Sequence, residues 1–170
     1  ARIFDLYDDP MPTRTDLEGY CGETASVLIQ LAALVLDPGE AAAHAELAGH
    51  AGCAQAITGL LRLLPVHRAR GQCYVPRDIL SAAGMTPEEF LAGGKSPGAD
   101  VAVQAMIALA REHLRAFERQ AKMLPLSLRP AFLPVAITGA YLDRLDRGKD
   151  GISSLRKHLS MLRTASRGWR

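Results

Sequence analysis

The stretch from Gly52 to Leu80, GCAQAITGLLRLLPVHRARGQCYVPRDIL, carries the most information about the architecture of this chain. Its first half predicts a helix, because Gln55, Thr58 and Arg62 recur on one face at spacings of i, i+3 and i+7. Pro65 lacks a backbone N–H group and is expected to end or kink this helix. An arginine-rich loop and a turn follow, so the stretch is a long helix that leads into a polar loop.

The composition favours an all-α protein. With 170 residues, the chain is long enough to bury a core as one domain, 1–170. Hydrophobic residues make up 48% and aromatic residues 5%; alanine and leucine dominate, which disfavours strands. A net charge of +2 is too small to indicate a nucleic-acid partner. The three cysteines show no CxxC spacing, so we expect no disulfide framework and a reducing, cytoplasmic setting.

Start and stop signals divide the chain into helices with short connections. Thr15-Asp16-Leu17-Glu18 is predicted to be a capping box that begins a helix ending near Leu36. A second helix is expected from about Glu40 to Leu64, and its small residues indicate close approach to a neighbouring helix. The other predicted helices are 76–83, 86–92, 100–122, 127–146 and a last one carrying Ile152, Leu155, Leu159 and Leu162. Together they predict an all-α helical bundle.

The last segment, 152–170, is basic and amphipathic, with Arg156, Lys157, Arg163, Arg167 and Arg170 and no acidic residue. One interpretation is a C-terminal helix whose apolar stripe packs on the bundle. The other is contact with anionic lipid, which would place the protein at the periphery of a membrane. No run of about 18 apolar residues occurs, so no segment is expected to span a bilayer.

The residues alone indicate no metal or nucleotide site. His50 and Cys53 form a pair at i, i+3, and Glu46 and His50 form one at i, i+4. Neither pair has a third and fourth ligand at convincing spacing, so zinc is not expected. The chain contains no phosphate-binding loop, dinucleotide fingerprint or nucleophile elbow. We therefore predict no cofactor from these patterns. His67, at the end of the predicted helix, is expected to be solvated or to cap that helix.

The stretch from Gly52 to Pro76 resembles, without a gap, the second conserved segment of the squalene/phytoene synthase family. In that segment a Gln, a Thr and an Arg stand at the spacings given above, followed by two aspartates at i, i+4 and a G-R-x-Y-L-P turn. Weaker similarity covers nearly the whole chain. The resemblance implies the isoprenoid (terpenoid) synthase fold, with this chain as the later part of a longer domain. The family's first aspartate-rich segment would then lie upstream of Ala1.

The aspartate positions of the family motif hold Leu63 and His67 in this chain. In the family, the two aspartates hold the magnesium ions that stabilise the departing pyrophosphate. Leucine has no ligand atom, and histidine is a poor ligand for magnesium. The resemblance therefore implies a degenerate second motif and argues against magnesium-dependent catalysis.

The substitutions are similar to those of one branch of the family, which includes a mitochondrial complex I assembly factor related to phytoene synthase and its bacterial relatives. The run from Gly52 to Ile57 resembles that branch, and so does Glu23-Thr24-Ala25-Ser26, which stands in place of a glycine-rich form. The branch implies an assembly or membrane-associated role, and hence a protein partner.

The resemblance implies a retained cavity that binds a prenyl diphosphate or another isoprenoid or lipid-like ligand. The implied ligand-binding residues are Gln55, Thr58, Arg62, Arg70, Tyr74, Tyr20 and Glu23. Structural alternatives remain for each residue. Arg62 could pair with Glu23, and Arg70 could be a solvated loop arginine. The Gln55 amide and the Thr58 hydroxyl could bond between helices, and the tyrosines could serve packing.

Two functions are consistent with these residues. The preferred one is a protein that binds an isoprenoid-like ligand or a protein partner without magnesium-dependent catalysis. The alternative is an active prenyltransferase that condenses two prenyl diphosphates head to head, as in squalene and phytoene biosynthesis. That alternative needs magnesium, and carboxylates from elsewhere to replace the pair lost at Leu63 and His67.

Overall fold

The computed structural model describes residues 2–6, 9–94, 96–149 and 151–169. Within these ranges the regular secondary structure is helical and includes no strand, which confirms the predicted all-α class. The helices are α1 Arg14–Cys21, α2 Val27–Leu36, α3 Pro38–Ala41, α4 Ala45–Arg62, α5 Leu64–Ala69, α6 Arg77–Ala82, α7 Pro87–Ala92, α8 Pro97–Ala121, α9 Arg129–Phe132, α10 Thr138–Leu145 and α11 Ser154–Arg167. Short 3-10 turns span Arg2–Leu6, Ala42–His44 and Leu133–Ile137, and a π-helical segment, Gly22–Ser26, joins α1 to α2.

Helices α4 and α8 pack against each other at the centre of the fold. Several small residues of α4, among them Ala51 and Ala54, are buried. Gly52 meets the π-helical segment so closely that a Cβ atom there would overlap the backbone of Ser26. The expectation that the small residues of this helix mark a close approach is thus confirmed.

The beginning of α1 differs in detail from its prediction. The capping box is formed by Thr13 and Asp16, two residues before the predicted pair of Thr15 and Glu18. The Thr13 hydroxyl accepts from the Asp16 N–H at 3.2 Å, and the Asp16 carboxylate accepts from the Thr13 N–H at 3.0 Å. Glu18 is available for other partners because the cap does not need it.

Pro65 marks the end of a predicted helix, as expected, and Pro134 interrupts the predicted helix 127–146. Helix α4 ends at Arg62, and Pro65 occupies the first turn of the separate short helix α5, where its missing N–H costs nothing. The predicted helix 127–146 is divided by the 3-10 turn that contains Pro134, giving α9 and α10. In both places a new helical segment begins within a few residues.

The continuous helical stretch Arg14–Leu36 is long and apolar enough to cross a membrane by length and composition, with a mean hydropathy of 1.4. This corrects the expectation that no segment meets that criterion. The expectation considered only uninterrupted runs of apolar residues, whereas the mean hydropathy also includes the polar residues of the helix. A helix of a protein core passes the same test, so these two properties do not by themselves assign a membrane span. Ile29 and Ala33 are buried in the core.

Helix α11 lies on the 3-10 turn Leu133–Ile137 with its apolar stripe turned outward. Leu155, Leu159 and Leu162 are 70%, 55% and 67% exposed. The prediction that this stripe packs on the bundle is therefore wrong, since periodicity shows which residues share a face and not which way the face points. Arg170, counted among the basic residues of this segment, lies outside the described residues.

Candidate functional site

A cavity of about 850 Å³ lies between the α1–α2 stretch and the α4–α5 junction, with α9 at one side. Its apolar walls come chiefly from α2, α4 and α9, with Leu28, Ile29, Ala32, Ala56, Leu60 and Ala131. Its polar lining includes Gln55 on α4 and, at the end near α5 and the loop that follows, Asp5, Tyr20, Arg70, Gln72 and Tyr74. The volume and this division are typical of a site for a ligand with a polar head and an apolar chain.

The polar end is organised around Asp5. One oxygen of its carboxylate, Oδ1, accepts hydrogen bonds from the hydroxyls of Tyr20, at 2.8 Å, and Tyr74, at 2.9 Å. The Gln72 side chain donates to the Asp5 carbonyl at 3.2 Å. Phe4 packs on both tyrosine rings, with centroid distances of 5.9 and 5.8 Å. Asp5 is the one carboxylate among the described residues that line the cavity.

Leu63 and His67, which replace the family's aspartates, both line this cavity. The His67 ring packs on Tyr74 at a centroid distance of 4.6 Å and is buried, which corrects its predicted role as a solvated or capping histidine. Burial lowers the pKa of His67; Arg70 acts in the same direction, and Asp5 opposes it. The neutral imidazole is therefore favoured at the place where the family has a carboxylate.

A left-handed turn at Gly71 places the polar side chains at the end of α5. Gly71 has φ of +70°, which a residue with a side chain rarely adopts. The Gln72 N–H then donates back to the His67 carbonyl at 2.9 Å. The turn lets Arg70 and Gln72, on either side of the glycine, both reach the cavity lining.

Three of the sequence-predicted ligand residues do not line the cavity. Thr58 is buried and donates its hydroxyl to the Ala54 carbonyl of its own helix at 2.7 Å. The Arg62 guanidinium lies over the Tyr141 ring, 3.8 Å from its centroid, a cation–π contact with α10. Glu23 is exposed, on the π-helical segment between α1 and α2.

The other four, Gln55, Arg70, Tyr74 and Tyr20, lie together in the lining. Asp5 and Gln72 belong to the same polar end and were missed as ligand residues. Asp5 stands 69 positions before Tyr74, and no local pattern links the two. Within the described ranges, no group of three or more His, Cys, Asp or Glu side chains is arranged to hold a metal ion.

The profile of the squalene/phytoene synthase family matches residues 1–163. The chain belongs to this family. Among curated members, it is 32% identical over 149 residues to mouse NADH dehydrogenase (ubiquinone) complex I, assembly factor 6, covering 84% of this chain and 43% of that protein. The human protein of that name is 33% identical over 138 residues, covering 78% and 39%. The chain thus spans less than half the length of these squalene/phytoene synthase relatives.

Solved structures of the family share the fold. A dehydrosqualene synthase in complex with ligand superposes with a TM-score of 0.75 at 18% identity, covering 96% of this chain and 62% of that one. The squalene synthase HpnC from Alicyclobacillus acidocaldarius gives 0.65 at 18% identity, covering 98% and 56%. The predicted isoprenoid synthase fold is thereby confirmed.

A second group of titratable side chains joins α1, α4 and α8, and none of its members lines the cavity. The Glu18 carboxylate accepts from Arg14 Nε at 2.9 Å and lies 3.0 Å from His113 Nε2. The other nitrogen of that ring, Nδ1, is 3.0 Å from Nδ1 of His50. Two facing ring nitrogens share one proton, so this contact requires one of them to be unprotonated. Burial lowers the pKa of His50, and His113 adds to this effect.

We expect the stability to fall as the pH drops below 6.5. Both His50 and His67 have pKa values lowered by folding, so the unfolded chain takes up protons first, near the ordinary value of about 6.5. Their contribution is fully present above that pH and is lost as the pH falls through the lower folded-state pKa. Urea unfolding at pH 7.5 and 5.5 should show the loss, where both values stand about one unit from the ordinary pKa of histidine.

The variant with both His50→Gln and His67→Gln should show a smaller difference between the two pH values. His158→Gln provides the matched control, because His158 is an exposed histidine on α11. It should keep the pH dependence of the unmodified protein. An unchanged dependence in the double variant would assign the acid sensitivity to other groups.

Proposed function

We propose that this protein is a non-catalytic member of the squalene/phytoene synthase family that binds an isoprenoid or similar lipid without magnesium. The observation that carries the proposal is the cavity, which keeps an amphipathic lining while Leu63 and His67 occupy the metal positions. A leucine side chain and a neutral imidazole cannot bridge a diphosphate to magnesium as a carboxylate pair does. The described lining residues suit the binding of a ligand, but they do not include the carboxylate pair that would hold magnesium to ionise a diphosphate.

The two ends of the cavity would divide the ligand between them. Arg70 supplies a cationic donor, and the hydroxyls of Tyr20 and Tyr74 supply neutral donors, which suits an anionic or oxygen-rich head. The alkyl side chains of α2 and α4 would take the chain, where burial of apolar surface contributes roughly 25 cal/mol per Å². An active prenyltransferase would need carboxylates from outside these residues, and Asp5 already accepts two phenolic hydrogens.

A protein partner is the second candidate, and the names of the relatives favour it. Proteins about one-third identical to this chain are named as assembly factors of NADH dehydrogenase complex I. The α2 helix also presents exposed apolar side chains, including Leu31 and Val35, that a partner could cover. A role in assembling a protein complex and a lipid-filled cavity are compatible in one molecule.

Calorimetric titration with farnesyl diphosphate, with and without magnesium, tests the proposal. We expect binding of equal affinity in both conditions. Binding that requires magnesium, with squalene- or phytoene-type products, would instead support the prenyltransferase. Absence of binding in both conditions would remove the ligand and leave the protein partner.

A bulky residue at Gly59 should weaken this binding. Gly59 lines the cavity, and a Cβ atom there would meet no heavy atom within 4 Å, so the side chain of Gly59→Phe can enter the cavity. We expect the affinity to fall by about tenfold or more, equivalent to about 1.4 kcal/mol. The calorimetric titration above measures this directly.

Gly49→Phe is the matched control, because Gly49 lies in the same helix and does not line the cavity. A Cβ atom added at Gly49 would also meet no heavy atom within 4 Å. It should bind as the unmodified protein does. Equal affinity of the two phenylalanine variants would place the ligand elsewhere. Equal loss in both would point to damage to α4.

A further inference from the structure

Helix α11 presents three leucines to solvent, and the face that it turns to the protein includes polar side chains. Leu155, Leu159 and Leu162 follow at i, i+4 and i+7 and are all more than half exposed. The opposite face makes the contacts: Ser160 donates to the Ala136 carbonyl at 3.0 Å, and the Lys157 ammonium lies 5.6 Å from the Tyr141 ring. None of the α11 residues is buried. Among the described residues, the leucine stripe is therefore an exposed apolar surface next to the contacts of the polar face.

The charges beside the leucine stripe have one sign. Arg156 and Arg163 directly follow Leu155 and Leu162 along the helix, and Arg167 continues their row one turn later; all three are exposed. Residues 151–169 contain no acidic side chain. The exposed face of α11 therefore combines an apolar stripe with a flanking row of guanidinium groups.

Helix α8 adds cations next to the end of α11. Two shallow grooves meet at Trp169, and Arg163 and Arg167 line one of them while Arg115, Arg119 and Lys122 line the other. Glu118 is the acidic residue shared by the two grooves. The Trp169 ring packs edge-on against the buried Phe117 at 5.3 Å, which ties the end of α11 to the core. The basic surface is thus continuous from α11 to α8.

We propose that the α11 face docks on an anionic lipid bilayer, with the leucines in the interface and the arginines on the lipid phosphates. Charge complementarity selects this occupant: a row of arginines without acidic neighbours on the helix matches a uniformly negative surface. Guanidinium groups bind phosphate oxygens in a bidentate manner, and the leucine stripe supplies the apolar area that insertion requires. This surface is separate from the cavity, so the inference stands whatever the cavity binds.

Vesicle co-sedimentation of the full chain tests this docking. We expect binding to vesicles of mixed phosphatidylcholine and phosphatidylglycerol, weakened by salt, and little binding to phosphatidylcholine alone. The variant L155S/L159S/L162S should bind anionic vesicles about tenfold less or weaker still, because it removes the inserted apolar area. R156Q/R163Q/R167Q should lose the preference for anionic vesicles. Circular dichroism should show both variants folded, since α11 contributes no buried side chain.

The matched control is L31S/L34S/V35S, which removes three exposed apolar side chains of α2. It should bind anionic vesicles as the unmodified protein does. A loss in this control with no loss in the α11 variants would assign the membrane surface to the α2 side and overturn the proposal. Binding to neither kind of vesicle would also overturn it, and would leave a protein as the occupant of the leucine stripe.

Discussion

Phe117→Ala should lower the free energy of unfolding by about 4 kcal/mol, the middle of the range for removing a buried aromatic ring. The Phe117 ring is fully buried on α8. It stacks on Phe132 at a centroid distance of 5.8 Å and meets the Trp169 ring edge-on. Its loss would leave a cavity between rings held by separate helices, which cannot collapse without moving α8 or α9. Urea unfolding followed by circular dichroism would measure the change.

The control for this prediction is Val101→Ala on the same helix. Val101 is 54% exposed, so its truncation should change the free energy of unfolding by less than about 0.5 kcal/mol. A Phe117→Ala variant as stable as Val101→Ala would show that the three rings do not form a packed cluster. A loss confined to the C-terminal helix would show that only the Trp169 contact matters.

Gly52→Ala is expected to lower the free energy of unfolding by about 3 kcal/mol. The new methyl group would overlap the backbone nitrogen and Cα of Ser26, so one helix must move. Ser26 cannot rotate out of the way because the contact is with its backbone, and its hydroxyl donates to the Gly49 carbonyl at 3.1 Å. The midpoint of urea unfolding should fall accordingly.

Gly49→Ala is the control here, three residues earlier in α4. No heavy atom lies within 4 Å of the Cβ it would add, so the change should stabilise the helix by up to about 1 kcal/mol. The two substitutions are chemically identical and should have opposite signs. Similar midpoints for both variants would mean that α4 and the π-helical segment are further apart than the structure shows.

Periodicity and capping signals were sufficient for the class of the fold and for most helices. The small residues of α4 correctly predicted its close packing, because large side chains keep the backbones of neighbouring helices apart. The orientation of α11 escaped prediction, because its pattern is the same whether the leucines face a core or the solvent. The site of the α1 cap was missed by two residues, since Thr13 and Thr15 offer the same hydroxyl.

The cavity could be predicted in part, through residues close together in sequence. Leu63, His67 and Arg70 follow one another along the α4–α5 junction, so their shared position follows from helical spacing. Arg62 lies over the Tyr141 ring instead, because Gly59 and Leu63 turn a neighbouring face of the helix to the cavity. Asp5 depends on a contact across 69 residues, which only the folded chain reveals.

The Asp5 carboxylate takes hydrogen bonds in the cavity that an anionic ligand could otherwise accept. It accepts hydrogen bonds from two phenols on separate segments, as the oxygens of a bound head group would. An external anion that takes the same two hydrogens has to displace this internal competitor. The apparent affinity of such an anion would be its intrinsic affinity multiplied by the fraction of molecules in which the Asp5 side chain does not occupy this position. Selectivity of the proposed ligand site would thus be set partly against the segment that carries Asp5, and strong acceptors would gain most from that competition.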